Sequence, residues 1–127
     1  MAKKIIYTKN APEPIGPYSQ AVLSGNLLFT CGQICIDPVT GELNNSTIET
    51  EAIQVMENLK AVLAAASMDF SHVLKTTIFL SDMNLFAELN KIYGGYFASD
   101  YPARETVAVK TLPKNVNIEI SMIASSA

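Results

Sequence analysis

The stretch STIETEAIQVMENLKAVLAAASMDFSHVLKTTIFL (residues 46–80) decides the fold, because it predicts a long helix that leads directly into a strand. Ser46 and Glu49 have the spacing of a capping box, which predicts where the helix begins. The acidic residues Glu51 and Glu57 fall outside the apolar positions. Those positions recur at helical steps and form one stripe, at Ile48, Ala52, Val55, Met56, Leu59, Val62, Leu63 and Ala66.

The rest of the chain adds a second helix and further strands. Ser81 and Asp82 are predicted to cap that helix, and Gly94 and Gly95 to weaken its end, since a helical glycine costs roughly 1 kcal/mol relative to alanine. Its apolar stripe consists of Leu85, Phe86, Leu89, Ile92, Tyr93, Tyr96 and Phe97. Strands are predicted at residues 4–7, 18–23, 27–31, 73–80, 104–110 and 117–123, the second and third joined by a hairpin at Gly25-Asn26.

This order of elements predicts one domain over residues 1–127 with an α+β fold. We expect a mixed six-stranded sheet with two helices packed on one face. The opposite face would then be uncovered, although its strands are apolar on both sides in places, as at Leu27 and Leu28. Because such a face is usually buried by another subunit, we expect a homo-oligomer.

Composition narrows the classes of function. With 127 residues and 49% hydrophobic residues, the chain is predicted to fold into a domain rather than to be disordered. Its net charge of −3 argues against a nucleic-acid partner. Residues 14–36 carry no charge, but their prolines and glycines predict turns and strands rather than a membrane helix. Because the N-terminus lacks the apolar segment of a signal peptide, the cytoplasm is the expected compartment.

Residue types that carry metal and nucleophilic chemistry are scarce. The chain has one histidine, His72, and two cysteines, Cys31 and Cys35. A zinc site needs about four ligands, and a disulfide is uncommon in the cytosol, so we expect no metal and two small, mostly buried thiols. No histidine dyad with a nucleophile is visible around His72.

Arg104 is the one arginine among nine cations, and it lies in an apolar strand pattern. A buried guanidinium requires a partner, because an unpaired buried charge is costly. Two partners are open on the pattern alone. One is an internal carboxylate, from Glu119 or Glu105, and the other is the carboxylate of a ligand, which a guanidinium binds in a bidentate manner.

Two further residues are candidates for chemistry. Glu119 lies between apolar residues in the last predicted strand. It is either a surface acid or a partly buried carboxylate that holds or deprotonates a water. Tyr18 follows Gly16-Pro17, a rigid turn that could fix its phenol, although most tyrosines in such places only pack.

With these residues in place, the chain resembles the Rid family (YjgF/UK114), the reactive-intermediate (enamine/imine) deaminases. Ordered blocks at matching spacings along essentially the whole chain are more specific than one short motif. The blocks are IGPYSQ (15–20), GNLLFTCGQI (25–34), DPVTGE (37–42), KTTIFLSDM (75–83), YPAR (101–104), LPK (112–114) and IEI (118–120).

The resemblance implies a chorismate-mutase-like fold and a homotrimer with a site at each subunit interface. It also implies hydrolysis of enamines and imines, such as 2-aminoacrylate left by PLP-dependent dehydratases, to 2-oxo acids and ammonia. No metal or organic cofactor is implied.

The resemblance further implies the site residues. Arg104 would grip the substrate carboxylate, Glu119 would position water, and Tyr18 would complete the catalytic set. The other substrate-binding positions are Asn90, Cys31, Gly32 and Thr106.

Departures from the family pattern leave rival functions open. Cys31 stands where serine is frequent, Thr106 replaces a frequent cysteine, and Glu105 follows the arginine where a small residue is usual. We expect Glu105 to point to the strand face opposite Arg104. One rival is a trimer that binds small carboxylates without turnover, and another is a protein-interaction, chaperone-like or ribonuclease role.

Overall fold

The computed structural model describes residues 2–127. Over this range the elements are β1 (Lys4–Ile6), β2 (Ala21–Ser24), β3 (Leu27–Thr30), α1 (Ile48–Ala65), β4 (Val73–Leu80), α2 (Phe86–Gly94), β5 (Ala103–Ala108) and β6 (Ile118–Ser125). The strands form one sheet in the order β1-β2-β3-β6-β4-β5. β4 and β5 are parallel and the other pairs antiparallel, so the predicted mixed six-stranded sheet is confirmed.

The hairpin between β2 and β3 has the predicted two-residue turn. Ser24 pairs with Leu27, and Gly25 in the turn has a φ of 59°. This left-handed conformation suits glycine and the twist of the two strands. β2 begins later than predicted, because the backbone N–H of Tyr18 donates to the carbonyl of Gly16 at 2.8 Å and makes that segment a turn.

Both helices pack on one face of the sheet, as predicted. Val55 and Leu59 of α1 are fully buried, as are Ile118 and Ile120 of β6. Glu51 differs from the prediction that placed it outside the apolar stripe, since it is 0% exposed. Within the described residues, no helix is long and apolar enough to cross a membrane.

The N-terminal cap of α1 is one residue later than predicted. Thr47 has extended backbone angles, and its Oγ1 accepts from the N–H of Thr50 at 3.0 Å. The third helical residue is therefore Thr50 rather than Glu49, and the capping box predicted from Ser46 and Glu49 is wrong. Periodicity locates a helix more accurately than it locates the cap.

Thr47→Ala is expected to lower the free energy of unfolding by about 1 kcal/mol, because it leaves a helix N–H without its acceptor. Ser46→Ala, one residue earlier, is the matched control and is expected to change it by less than about 0.5 kcal/mol. Urea denaturation of both variants shows whether Thr47 or Ser46 is the N-terminal cap of α1. An equal or larger loss at Ser46 would contradict the observed cap.

The second helix is shorter than its apolar stripe. A 3₁₀ turn at Met83–Leu85 precedes it, and Asp82 caps that turn by accepting from the N–H of Asn84 at 2.8 Å. α2 ends at Gly94, so Phe97 of the stripe lies beyond the helix. Its ring still packs in the core, 4.9 Å from that of Tyr93.

The second face of the sheet is uncovered in one chain, as predicted. Four of its large apolar side chains are exposed, namely Ile5 (51%), Leu27 (39%), Phe29 (43%) and Val107 (48%). Strand register places Phe29 beside Ile123, so the apolar surface continues onto β6. A surface of this kind marks an interaction site.

Candidate active site

Arg104 lies on β5, an edge strand, and faces α2. Its guanidinium carbon lies 5.3 Å from the ring centroid of Phe86 and 5.2 Å from that of Tyr93. A cation is attracted to the face of an aromatic ring, so these two rings form an aromatic shelf that holds the guanidinium. The sequence pattern indicated only a core role for both rings. Their seven-residue spacing, which puts them on one helix face, was the available signal.

No carboxylate of its own chain pairs with Arg104 within residues 2–127. The one ion pair there between side chains that are both charged near neutral pH joins Lys75 to Glu105 at 3.0 Å, and the His72 ring lies 3.2 Å from the Asp69 carboxylate. The internal pair considered for Arg104 is therefore wrong, and Glu105 points to the opposite strand face as expected. Arg104 on this edge strand is partly exposed, so the fully buried guanidinium that would require an internal partner is not formed. Arg104 borders a cavity of about 400 Å³ with Tyr93, Gly94, Tyr101 and Pro102.

Asn90 and Thr106 border Arg104. Asn90 lies on α2 between Phe86 and Tyr93 and shares their helix face, and Thr106 lies two residues after Arg104 on the same strand face. Oδ1 of Asn90 and Oγ1 of Thr106 are buried and lack a hydrogen-bond partner. Because buried polar atoms are nearly always bonded, these two atoms, which have no partner within residues 2–127, are candidates to bond a polar group from outside that range. We call Arg104, Asn90 and Thr106 the arginine half-site.

Glu119 lies on the open face of the sheet. Its neighbours Ile118 and Ile120 are fully buried against the helices, and strand alternation turns Glu119 the other way. Gln33 and Ile120 exchange backbone hydrogen bonds of 2.8 and 3.1 Å, which bring Gly32 against Glu119. A β-carbon at Gly32 would overlap Oε2 of Glu119 and lie 2.8 Å from its Cδ. Only glycine permits this approach.

The Glu119 carboxyl lines a pocket of about 300 Å³ that Tyr18, Cys31 and Gly32 also border. Much of the remaining lining is apolar, from Pro12, Ile15, Ile34, Ile36 and Pro113. Burial raises the pKa of Glu119, because its charged form loses solvation. Burial also raises the pKa of the Cys31 thiol, opposed by a 3.5 Å contact from Gln33 and reinforced by the nearby Glu119. Cys31 is thus a neutral thiol near pH 7.

Tyr18 stands at the mouth of this pocket. Its hydroxyl oxygen accepts from the N–H of Ile15 at 3.2 Å, and the turn at Gly16-Pro17 holds the ring, so the phenol is fixed as that turn suggested. The side chain is still 47% exposed. Its hydroxyl proton remains able to donate to a ligand. Tyr18, Cys31, Gly32 and Glu119 form the glutamate half-site.

Glu119→Gln is expected to raise the melting temperature at about pH 7 by about 1–3 °C, because it removes a poorly solvated charge. Between the ordinary carboxyl pKa and the raised value, the folded chain holds a proton that the unfolded chain has released. Stability therefore falls as pH rises through that window. The higher melting temperature of Glu119→Gln should disappear near pH 3, where Glu119 of the wild type is protonated in both the folded and the unfolded chain. Thermal melts at the two pH values test this, and a lower melting temperature at pH 7 would contradict it.

The sheet separates the two half-sites within one chain. β4 shows this, because Arg104 is in register with the buried Thr76 on the helix face, whereas Glu119 is in register with Phe79 on the open face. The predicted site residues therefore form two groups on opposite faces.

This arrangement defines a class of protein: an α+β domain with the chorismate-mutase-like fold and a polar half-site on each side of its sheet. The family model described as Endoribonuclease L-PSP matches residues 8–126. A RutC family protein from Pyrococcus horikoshii is 52% identical over 122 residues, covering 96% of this chain and 97% of its own.

Solved structures agree with these relatives. YyfA from Yersinia pestis, described as belonging to the conserved Rid protein family, has a TM-score of 0.95 at 46% identity and covers 98% of this chain and 99% of its own. E. coli TdcF, solved with bound serine, has a TM-score of 0.94 at 41% identity with the same coverage. This chain belongs to the Rid (YjgF) family.

Proposed function

We propose that this protein hydrolyses reactive enamines and imines, such as 2-aminoacrylate and 2-aminocrotonate, to 2-oxo acids and ammonia. The observation that carries the proposal is Arg104, whose guanidinium rests on two aromatic rings with no carboxylate partner from residues 2–127. A planar guanidinium fits the carboxylate of a 2-imino acid through two parallel hydrogen bonds. The partnerless Asn90 and Thr106 oxygens supply further polar contacts beside it.

Glu119 is proposed to activate the water. After the enamine tautomerises to the imine, water adds to the imine carbon: a C–O bond forms, and the C=N electron pair moves to nitrogen, which takes up a proton. Glu119 accepts the proton that the water loses and supplies it to that nitrogen, which gives a carbinolamine. In a second transfer Glu119 takes the hydroxyl proton and passes it to the nitrogen, so the C=O bond forms as the C–N bond breaks and ammonia leaves. A carboxyl whose pKa is raised by burial suits both transfers.

The rate acceleration that this reaction requires is modest. Imines hydrolyse in water without help, so a carboxylate receptor, an oriented water and one acid–base group suffice. Tyr18 is proposed to donate its hydroxyl proton to the substrate at the pocket mouth. No metal or organic cofactor enters any of these steps.

We further propose a homotrimer in which the arginine half-site of one chain faces the glutamate half-site of the next. The separation of Arg104 from Glu119 by the sheet supports this, as does the exposed apolar face around Phe29. PLP-dependent dehydratases, which release enamines, are the proposed functional partners. The two unpaired thiols favour the cytoplasm as the compartment.

The first test measures turnover. Serine or threonine with a PLP-dependent dehydratase generates the enamine, and its disappearance is followed with and without this protein. We expect faster disappearance with the protein present and the spontaneous rate with heat-denatured protein. Calorimetric binding of 2-oxobutyrate without acceleration would instead favour a carboxylate-binding module.

The second test uses mixed trimers. Arg104→Ala and Glu119→Gln are each expected to be inactive, and they are co-expressed with different tags and purified through both. In a mixed cyclic trimer, one interface in three joins an intact Arg104 to an intact Glu119, so about one third of wild-type activity should return. No recovery would mean that each site lies within one chain.

A ribonuclease role has less support in this chain. His72 is the one histidine, and its Nδ1 accepts from the N–H of Asp69 at 3.0 Å to cap a 3₁₀ turn. General acid–base cleavage of RNA commonly relies on a pair of titratable groups near neutrality, and the net charge of −3 disfavours a phosphate backbone. Release of nucleotides by purified protein would reopen this role.

A further inference from the structure

Helix α1 carries two buried polar side chains that bond to backbone on either side of the glutamate half-site. Glu51 is 0% exposed and Asn58 is 1% exposed, and they lie two helical turns apart. A buried carboxylate costs free energy unless its oxygens accept hydrogen bonds. The partners of these two side chains are therefore informative.

Glu51 holds the backbone just before Glu119. Its Oε2 accepts from the N–H groups of Asn117 and Ile118 at 2.7 and 2.9 Å, and its Oε1 accepts from Nδ2 of Asn117 at 3.0 Å. Asn117 is also held by Ser81, whose Oγ donates to Oδ1 at 2.7 Å. The start of β6 is thus tied to α1 and to the end of β4.

Asn58 holds the opposite wall of the same pocket. Its Nδ2 donates to the carbonyls of Ile34 and Ile36 at 3.0 and 2.9 Å, and its Oδ1 accepts from Nε2 of Gln54 at 2.9 Å. Ile34 and Ile36 follow Gly32 along the chain and line the pocket. Glu51 is an acceptor and meets two backbone N–H groups, whereas the amide of Asn58 is a donor and meets two backbone carbonyls.

Glu119 directly follows the backbone that Glu51 binds, and Gly32 precedes the backbone that Asn58 binds. These two segments must lie side by side for the Glu119 carboxylate to contact Gly32. We propose that Glu51 and Asn58 are positioning residues that set the distance between the Glu119 carboxylate and Gly32. An apolar pair would fill the same volume without fixing the two backbone segments. The kinetic consequence rests on the proposed imine hydrolysis, in which a small displacement of the acid–base group lowers the rate.

The test compares Glu51→Gln and Asn58→Leu with Val62→Ala. Glutamine keeps the shape of Glu51 but turns an N–H toward the N–H of Asn117, and leucine leaves two carbonyls unbonded. Val62 is fully buried on the same helix and touches neither wall through a hydrogen bond, so its truncation gives a matched loss of melting temperature. Gln54→Ala is a milder variant that removes the hydrogen bond supporting Asn58, together with a weaker one at 3.2 Å from Asn44 to Gln54.

Two measurements distinguish a positioning role from a general loss of stability. The first is the pKa of Glu119 from carboxyl ¹³C shifts, assigned with Glu119→Gln. It should fall toward its ordinary value in the Glu51 and Asn58 variants and, less, in Gln54→Ala, because the carboxylate gains water. Glu13, Tyr18 and Cys31 are the other titratable groups lining the pocket, and all variants retain them.

The second readout is kinetic. We expect kcat to fall about tenfold in Glu51→Gln and Asn58→Leu with KM within about twofold, and Val62→Ala to change neither. An unchanged Glu119 pKa in the folded Glu51, Asn58 and Gln54 variants, or equal changes in Val62→Ala, would overturn the proposal. A wild-type protein without deaminase turnover would overturn the proposed function, while the ¹³C titration would still decide the positioning role.

Discussion

Arg104→Ala is expected to lower kcat/KM for imine hydrolysis about 100- to 1,000-fold, which leaves the protein almost inactive. The guanidinium is the one group that can bind the substrate carboxylate in a bidentate manner, and its loss removes both binding and orientation. This corresponds to about 3–4 kcal/mol of transition-state stabilisation. Enamine disappearance in the dehydratase-coupled assay measures it.

The controls separate charge from geometry. Arg104→Lys keeps the charge but not the planar fork, and should recover only a small part of the activity. Lys75→Ala removes a cation from neighbouring β4, where Lys75 pairs with Glu105, and should leave kcat/KM within about twofold. Activity of Arg104→Ala close to the wild-type value would remove the basis for carboxylate recognition by this residue.

Gly32→Ala is expected to lower kcat about 100-fold while the protein stays folded. The added methyl group would occupy the position of the Glu119 carboxyl, so the carboxyl must leave its place over Gly32. Positioned acid–base groups contribute about 100- to 10,000-fold to a rate. Stopped assays at saturating substrate measure kcat, and circular dichroism checks the fold.

Two variants make this result specific. Gly95→Ala is the matched control, since its β-carbon would lie 3.4 Å from the carbonyl oxygen of Ile92 in a helical conformation that alanine accepts. It should leave kcat unchanged. Combining Gly32→Ala with Glu119→Asp shortens the acid by one methylene and should recover part of the activity. A double variant no better than Gly32→Ala would argue against a clash with the carboxyl.

Local patterns predicted the elements that depend on neighbours in sequence. The α1 stripe is buried from Ala52 to Leu63 as its period predicted, with its two ends partly buried, and the Gly25-Asn26 turn joins β2 to β3. Both follow from side-chain spacing and backbone conformation, which are local properties. The register of the α1 cap was wrong, because Ser46 and Thr47 offer equivalent hydroxyls and only the chain path before the helix selects Thr47.

Local patterns misplaced residues whose environment depends on distant partners. Glu51 fell outside the apolar stripe, yet it is buried because two backbone N–H groups at residues 117–118 and the side-chain amide of Asn117 donate to it. Arg104 was expected to need a carboxylate, yet an edge strand and the rings of Phe86 and Tyr93 support it instead. In both cases the deciding partner lies far away along the chain.

The sequence alone determined the fold class, the family resemblance and the identity of the one arginine. These depend only on the order of the residues, which sets hydrophobic periodicity and motif spacing. Only the tertiary structure decided that Arg104 and Glu119 lie on opposite faces of the sheet and that Gly32 touches the acid. The physical reason is strand pairing. Which face a residue joins, and which backbone it meets, are set by register between segments as distant as residues 33 and 120.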